Sequence, residues 1–173
     1  TIQNTTITAH LNVSSPDGTT TADVIAVNVE GPYRGVQQVV SSTASTVYTY
    51  TAYLRAGNHS YAGIQLQSKN NNSYVSQLAY LYINLTNGSV LNYGGTSTSV
   101  TDVGRGWYRL EVTGTTPSSG ANQVATWVEF CDVNGSNSPT PYVTSGSYVY
   151  AWGAQLEQRS SATAYTPTTS SPI

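Results

Sequence analysis

Apolar and polar residues alternate in short runs along most of the chain. In residues 47–55 one parity carries Tyr48, Tyr50, Ala52 and Leu54, and the other carries Thr49, Thr51, Tyr53 and Arg55. A period of two is typical of a strand with one buried face. The same period predicts further strands, with these inward residues: Ile7, Ala9, Leu11 and Val13; Ile25, Val27 and Val29; Ala62, Ile64 and Leu66; Leu81, Ile83 and Leu85; Tyr108, Leu110 and Val112; Val124, Thr126, Val128 and Phe130.

The last strong run covers residues 148–157. A continuous period of two through it puts five residues on a bulky apolar face: Tyr148, Tyr150, Trp152, Ala154 and Leu156. We therefore expect this strand to close the core, with Trp152 inside.

Turn residues separate the runs at short intervals. Residues 15–18 read Ser-Pro-Asp-Gly, and residues 56–60 read Ala-Gly-Asn-His-Ser, which predicts a hairpin between two strands. Helical periodicity is sustained nowhere over ten residues. The sequence thus predicts an all-β fold with essentially no helix, a two-sheet antiparallel β-sandwich spanning residues 1–159. Residues 160–173 are rich in Ser, Thr and Pro and are predicted to be a tail on the surface.

Composition narrows the classes of partner. Charged residues make up 8% of the chain and the net charge is -2, whereas ordinary soluble domains are about 25% charged. Lys and Arg form no cluster, which argues against a nucleic-acid partner because phosphate contacts dominate that affinity. No apolar run approaches the roughly 18 residues that would span a bilayer, so membrane insertion is not expected.

Several motifs, in order along the chain, resemble those of one family. They are PDGTTTAD at 16–23, YTAYLRAG at 50–57, NLTNG at 84–88, VGRGWYR at 103–109, YAWGAQLE at 150–157 and ATAYTPT at 162–168. Together they resemble a jelly-roll domain found in bacteriophage tail proteins and appended to polysaccharide-active enzymes, a group similar to carbohydrate-binding modules. The resemblance implies a jelly roll located in a virion tail or outside the cell, with a polysaccharide or cell-surface glycan as its partner. By analogy with carbohydrate-binding sandwiches, a structural Ca²⁺ would be compatible with such a fold.

Catalytic chemistry has little support in the sequence. It contains no Gly-x-Ser-x-Gly elbow, no His-Glu-x-x-His and no phosphate-binding glycine loop. His10 and His59 lack a neighbouring Cys or carboxylate at ligand spacing, and the acidic residues form no EF-hand loop, so no cofactor is predicted. Glu129 and Asp132 have the wrong parity for a glycosidase carboxylate pair on one strand. We expect no enzyme and no catalytic residue here.

Sugar binding matches the residues left outside the predicted core. A pyranose needs flat aromatic rings for its C–H faces and amides, carboxylates or Arg for its hydroxyls. The outward residues that offer these groups are Tyr53, Arg55, Gln65, Gln67, Tyr82, Trp127 and Glu129, with Tyr80 and Asn84 of similar kind. We predict that they share one sheet surface and that Trp127 is the main stacking ring. Trp107 is expected instead to stack on Arg109 and cover a sheet edge, and Glu111 to form a surface ion pair with Arg109.

Two other functions compete with a glycan-binding module. One is a structural domain of a phage tail fibre that forms a homotrimer or docks on other tail parts and binds no sugar. The other is a catalytic jelly roll. A single tyrosine among the 14 in this chain is more often structural than ligand-contacting.

Overall fold

The computed structural model describes residues 2–3, 5–8 and 13–167, in which the regular secondary structure is β-strand throughout. Its strands are β1 (Ile2–Gln3), β2 (Thr5–Thr8), β3 (Asp23–Val27), β4 (Gly35–Ser41), β5 (Val47–Ala56), β6 (Tyr61–Asn70), β7 (Ser73–Asn84), β8 (Val90–Gly94), β9 (Ser97–Asp102), β10 (Trp107–Thr115), β11 (Gln123–Phe130) and β12 (Tyr148–Glu157). No helix in the described ranges has the length and apolar character needed to cross a membrane.

The strands form two six-stranded antiparallel sheets packed face to face. The first sheet has the order β1-β4-β11-β6-β7-β8, and the second has the order β2-β3-β12-β5-β10-β9. Neighbours in each sheet come mostly from distant parts of the chain, as in a jelly roll. The predicted fold class, a two-sheet antiparallel β-sandwich, is confirmed.

The core between the sheets follows the alternation in four long strands. Inward residues of β5, β6, β10 and β11 that the sequence predicted are buried there, including Leu54, Ile64, Leu110 and Phe130. The prediction for Val29 is wrong, because β3 ends at Val27 and Val29 is 55% exposed. The prediction for Ile7 is wrong too, because Ile7 lies in β2 (Thr5–Thr8) and is exposed, while the predicted inward residues Ala9 and Leu11 lie outside the described residues.

In the first half of the closing strand β12, the inward and outward side chains are the reverse of those predicted. Val149 is buried in the core, whereas Trp152 projects outward and is only half-buried. The register of β12 against β5 shifts between Trp152 and Gln155, where Gly153 has a φ of 60°. A glycine in the left-handed region is the usual residue of a β-bulge, which inserts one residue into a strand. The bulge returns Leu156 to the core side, so a single period of two cannot describe both halves.

The chain after β12 folds back over the second sheet. We call residues 158–167 the C-terminal strap. The Arg159 carbonyl accepts a hydrogen bond from Thr49 Oγ1 at 2.8 Å, and the Thr163 carbonyl accepts one from Arg109 Nη2 at 3.2 Å. The Tyr165 ring packs against Trp152, with centroids 4.5 Å apart. This part of the predicted tail is thus bound to the sandwich, while residues 168–173 lie outside the described residues.

Candidate binding face

The outward side of the first sheet carries a layer of polar and aromatic side chains, most of which are buried. We call it the amide face and define it by Gln37, Gln65, Gln67, Tyr80, Tyr82, Trp127 and Glu129. Trp127 lies opposite Gln37 of β4 and Gln65 of β6, and Gln65 lies opposite Tyr80 of β7. Four adjacent strands therefore hold these side chains side by side on the outside of the sandwich.

Two glycines make room for the larger side chains of the amide face. Glu129 lies between Gly35 and Gly63 in the sheet, and Gly63 lies opposite Tyr82. A Cβ at Gly63 would come within 2.5 Å of Tyr82 Cδ1, and one at Gly35 would meet Glu129 Cγ at 3.0 Å. The missing Cβ atoms allow the tyrosine ring and the carboxylate side chain to lie close to the backbone.

A chain of side-chain hydrogen bonds crosses the amide face. Trp127 Nε1 donates to Gln67 Oε1 at 3.1 Å, and Gln67 Nε2 donates to Gln65 Oε1. Gln65 Nε2 donates to the Tyr82 hydroxyl, which donates in turn to Glu129 Oε2 at 2.7 Å. Five side chains on three strands are thereby ordered before any ligand arrives.

Two further residues extend this network at the Trp127 end. The amide of Gln37 is oriented by its two neighbouring donors, so that its oxygen accepts from Trp127 Nε1 at 2.7 Å and from Lys69 Nζ at 3.3 Å. Lys69 Nζ also donates to the carbonyl of Asn72 at 3.1 Å. Partial burial lowers the pKa of Lys69, the basic side chain at this end.

The loop after β11 closes the other end of the amide face. Asn137 Nδ2 donates to Glu129 Oε2 at 3.0 Å, and the Asn137 carbonyl accepts from the backbone N–H of Tyr33 at 2.8 Å. Gly135 of the same loop lies against Asn92, since a Cβ there would be 2.8 Å from Asn92 Cβ. Glu129 thus connects the loop of residues 131–147 to the sheet.

The carboxyl group of Glu129 has an unusual environment. Only 1% of the residue is exposed, and this burial raises the pKa of Glu129 to about 7, although bonds from Asn137, Tyr82 and Gln65 lower it. Burial, followed by the charge of Glu129, raises the pKa of Tyr82 well above its usual value. At neutral pH the carboxyl therefore exchanges between charged and neutral forms while the tyrosine stays protonated.

Five of the seven predicted site residues share the amide face: Gln65, Gln67, Tyr82, Trp127 and Glu129. The prediction that Tyr53 and Arg55 join them is wrong, because β5 belongs to the second sheet, between β12 and β10. The predicted hairpin at residues 56–60 is wrong for the same reason. That connection carries the chain from one sheet to the other, so Tyr53 and Gln65 point to opposite sides of the molecule.

The exposure of the aromatic rings differs from the expectation. Trp127 is 5% exposed, so in this conformation its ring offers no open face to a ligand. Tyr80 is half-buried on the same face and Tyr74, near Lys69 at the β6–β7 turn, is exposed. These two tyrosines present ring surface where the sequence favoured Trp127.

Gln37 and Asn137 belong to this site but were not among the residues predicted from the sequence pattern. Residues 35–40 have no clear period, so the side chain of Gln37 could not be assigned to a face. Asn137 lies in an irregular loop, and its contact with Glu129 depends on tertiary structure alone. The one available signal was the polarity of the loop, which is not specific.

The outward side of the second sheet is used in a different way. We call it the strap face and define it by Tyr53, Arg55, Arg109, Glu111, Tyr150 and Trp152. The rings of Tyr53 and Trp152 pack edge to face at 5.1 Å, and Tyr165 of the C-terminal strap contacts both. Trp152 Nε1 also donates to Thr21 Oγ1 at 3.0 Å, so a second segment crosses this surface.

The expected Trp107–Arg109 stack is replaced by other contacts. Trp107 is fully buried and donates from Nε1 to the Ser14 carbonyl at 3.0 Å. Arg109 forms an ion pair with Glu111 at 3.0 Å, which confirms the prediction for that glutamate. In the described part of the chain the cation–π contact lies elsewhere, with the guanidinium of Arg55 5.7 Å from the centre of the Tyr150 ring.

The remaining titratable groups do not form a reactive constellation. Asp132 accepts hydrogen bonds from the backbone N–H groups of Asn134 and Ser136 and so shapes its own loop. Burial raises the pKa of the Cys131 thiol, which keeps it protonated and unreactive. Over the described ranges, no three His, Cys, Asp or Glu side chains are grouped so that they could hold a metal. His10 lies outside them.

Known structures resemble the chain in fold, although the comparisons by sequence find no match. No family model matches it, and no curated protein matches it. A CBM4 structure is similar at a TM-score of 0.50 and 10% identity, over 83% of this chain and 72% of that one. TmCBM27, a carbohydrate-binding module with specific mannan recognition, is similar at a TM-score of 0.41 and 10% identity, over 80% and 74%. The chain therefore has a jelly-roll sandwich fold like that of the CBM4 structure.

Proposed function

We propose that this chain is a non-catalytic carbohydrate-binding module that holds a polysaccharide against the amide face. The observation that carries the proposal is the ordered run of amides and tyrosines across four rigid strands. The outward face of a sandwich is normally polar and solvated, but here its polar groups are bonded to one another and held in defined directions.

The chemistry of this face fits sugar hydroxyls. A glutamine amide has two N–H donors and two lone pairs, and Gln67 uses one of each within the network. Gln67 is half-buried, so its second donor and its second lone pair can bind neighbouring hydroxyls of a sugar. Because Gln67 is already ordered, binding costs less side-chain entropy than it would with a mobile amide.

Aromatic contact would come from the tyrosines at the edge of this network. Tyr80 lies next to Gln65 on the outward side, and its hydroxyl is 3.5 Å from Asn92 Oδ1. A tyrosine ring held on a strand covers the apolar face of a pyranose while its hydroxyl stays hydrated. The proposal assigns the stacking role to Tyr80 and an ordering role to Trp127.

The proposed setting is a phage tail protein or a polysaccharide-active enzyme, in which such a module would hold its parent on a bacterial surface glycan. The support is the set of sequence motifs together with the jelly-roll fold. The parent polypeptide would identify the setting.

The test is affinity electrophoresis through gels containing single polysaccharides, with mannan, a β-glucan, alginate and bacterial capsules as probes. Tyr80→Ala and Tyr53→Ala form a matched pair, because each removes one half-buried tyrosine from an outer face. We expect Tyr80→Ala to weaken retention roughly tenfold, equivalent to about 1.4 kcal/mol, and Tyr53→Ala to retain it.

Other results would favour the competing functions. Equal loss of retention in both variants, or no retention of the wild type on any gel, would contradict binding at the amide face. A strict trimer by light scattering with the amide face buried between chains would favour the structural tail-fibre domain. Release of reducing sugar from a retained polysaccharide would make the domain an enzyme.

A further inference from the structure

The hydrogen-bond chain on the amide face has a single direction. Each of its internal members is both donor and acceptor: Gln67 and Gln65 through their amides, Tyr82 through its hydroxyl. Such a chain can in principle run either way, because an amide can turn by 180° and a hydroxyl proton can rotate. The groups at its two ends therefore decide the direction.

The groups at the two ends of the hydrogen-bond chain favour the same direction. Trp127 Nε1 is a donor only, and its one hydrogen is shared between the oxygens of Gln37 at 2.7 Å and Gln67 at 3.1 Å. The ionised carboxylate of Glu129 is an acceptor only. A donor at one end and an acceptor at the other permit one arrangement of the groups between them. In that arrangement Gln67 turns its oxygen to the indole and its nitrogen toward Gln65, so its remaining donor and its remaining lone pair have fixed positions.

We infer that Glu129 is a positioning residue, which acts through Tyr82 and Gln65 to set the orientation and the order of the Gln67 amide. Its effect on glycan binding rests on the proposed function, whereas the relay itself does not. Glu129 is buried beneath the network and, as placed, touches no ligand bound on the surface.

The strength of the relay depends on the charge of Glu129. A hydrogen bond to a carboxylate is roughly twice as strong as one to a neutral group, and serial hydrogen bonds polarise one another. Protonation of Glu129 therefore weakens the bonds from Tyr82 and Asn137 and loosens the bonds that follow. Since burial raises the pKa of Glu129 to about 7, this change falls near neutral pH.

The surroundings of Glu129 include few other ionisable groups. Gly35 and Gly63 flank it on β4 and β6 and carry no side chain, and β7 contributes Tyr82. On the chain beyond it, Cys131 is protonated and Asp132 belongs to the loop. The imidazole of His59 contacts the Cys131 carbonyl at 2.9 Å and lies outside the relay.

The test uses the three tryptophan indole N–H resonances of the ¹⁵N-labelled protein. Trp127→Phe assigns the resonance of Trp127. The indoles of Trp107 and Trp152 donate to Ser14 and Thr21, outside the relay, and serve as internal controls. Spectra are recorded between about pH 5.5 and 8.5 for the wild type, Glu129→Gln, Tyr82→Phe and Tyr108→Phe. The last variant removes the hydroxyl of a buried tyrosine that lies outside the relay.

We expect only the Trp127 resonance to titrate, with a midpoint near pH 7. The titration should vanish in Glu129→Gln, shrink in Tyr82→Phe, where the bond from Gln65 to Glu129 remains, and persist in full in Tyr108→Phe. An undiminished titration in Tyr82→Phe would overturn the relay through Tyr82, and persistence in Glu129→Gln would show that a group other than Glu129 titrates. A resonance that does not move with pH would also overturn it.

A second measurement tests the consequence for binding, using whichever polysaccharide retains the wild type. Affinity should be roughly threefold higher at pH 8 than at pH 6, because the charged form orders Gln67 more firmly. Glu129→Gln should bind with the same weaker affinity at both pH values. If no polysaccharide is retained, the proposed function fails while the resonance titration still decides the relay. A pH-independent wild-type affinity would contradict the positioning role.

Discussion

The two outer faces of this sandwich contain similar residues in different states. The amide face has Trp127, Tyr80 and Glu129, and the strap face has Trp152, Tyr53 and Glu111. On the strap face the chain itself occupies these side chains: Tyr165 packs on the two rings, and Glu111 Oε1 lies 3.5 Å from the Ala162 backbone N–H. On the amide face the side chains bind one another, and the loop of residues 131–147 meets them at one end.

The difference shows that composition does not identify a ligand surface in a β-sandwich. Aromatic and polar residues outside the core serve equally to fasten a terminal segment or to receive a ligand. The C-terminal strap gives Trp152 and Tyr53 a packing role, and both stay half-buried. On the amide face Trp127 is 5% exposed, and Gln65 and Tyr82 are 3% exposed. Under the proposed function, glycan contacts on the amide face therefore fall to its half-buried members, Gln67 and Tyr80.

A matched pair of tryptophan variants should produce the largest effects. Trp127→Ala removes a nearly buried ring and one end of the hydrogen-bond chain, so we expect a loss of about 4 kcal/mol in the free energy of unfolding and no glycan retention. Trp152→Ala should cost about 2–3 kcal/mol, because the ring is half-buried, and should leave retention intact. Urea denaturation followed by tyrosine fluorescence and affinity electrophoresis below the unfolding transition measure the two quantities. If the Trp152→Ala protein were folded but no longer retained by the glycan gel, the two faces could not be assigned different roles.

Acidity should affect the amide face selectively. The folded-state pKa of Glu129 is about 7, above the ordinary value of 4.5, so the fold favours the protonated form. Its contribution to stability is complete below about pH 4.5 and is lost as pH rises through 7, a change on the order of 3 kcal/mol. Thermal denaturation from pH 5 to pH 8 should show this loss in the wild type and not in Glu129→Gln. An equal slope in both proteins would assign the effect to other groups.

The bulge in β12 should give the smallest effect. Gly153 has a φ of 60°, and a Cβ there would meet Tyr53 Cδ2 at 3.0 Å. Gly153→Ala is therefore expected to cost about 1 kcal/mol through backbone strain and a slight displacement of Tyr53. Gly120→Ala, at a φ of 81° with nothing within 4 Å of the added Cβ, is the matched control for strain alone. The two variants are compared by urea denaturation, and the greater loss should occur at Gly153.

For most long strands, the alternation of apolar and polar residues predicted correctly which side chains face the core and which face outward. β5, β6, β10 and β11 bury the residues that alternation assigned to the core, because a regular strand keeps its phase. β12 does not keep its phase, since the extra residue at the bulge reverses it. The glycine at 153 was visible in the sequence, but its positive φ follows from the register against β5.

The candidate site could be predicted only in part for a related reason. The alternation of apolar and polar residues indicated which side chains point away from the core, but it did not indicate which sheet a strand belongs to. Tyr53 and Gln65 are both outward and twelve residues apart, yet their strands lie in different sheets, so they face opposite directions. The contact between Glu129 and Asn137 joins a strand to an irregular loop and has no sequence period at all.

The position of β12 has a consequence for how the protein is made. This strand is the last of the described chain, yet it lies between β3 and β5 inside its sheet, and Val149 pairs with Ala56. As a ribosome releases the chain from its amino end, β3 and β5 emerge long before the strand that joins them. Their unpaired edges stay open to other nascent chains until residue 157 has left the exit tunnel, and exposed strand edges promote aggregation. The second sheet of this domain therefore cannot be completed until β12 has been synthesised. A translational pause before residue 148 should lower the yield of soluble protein.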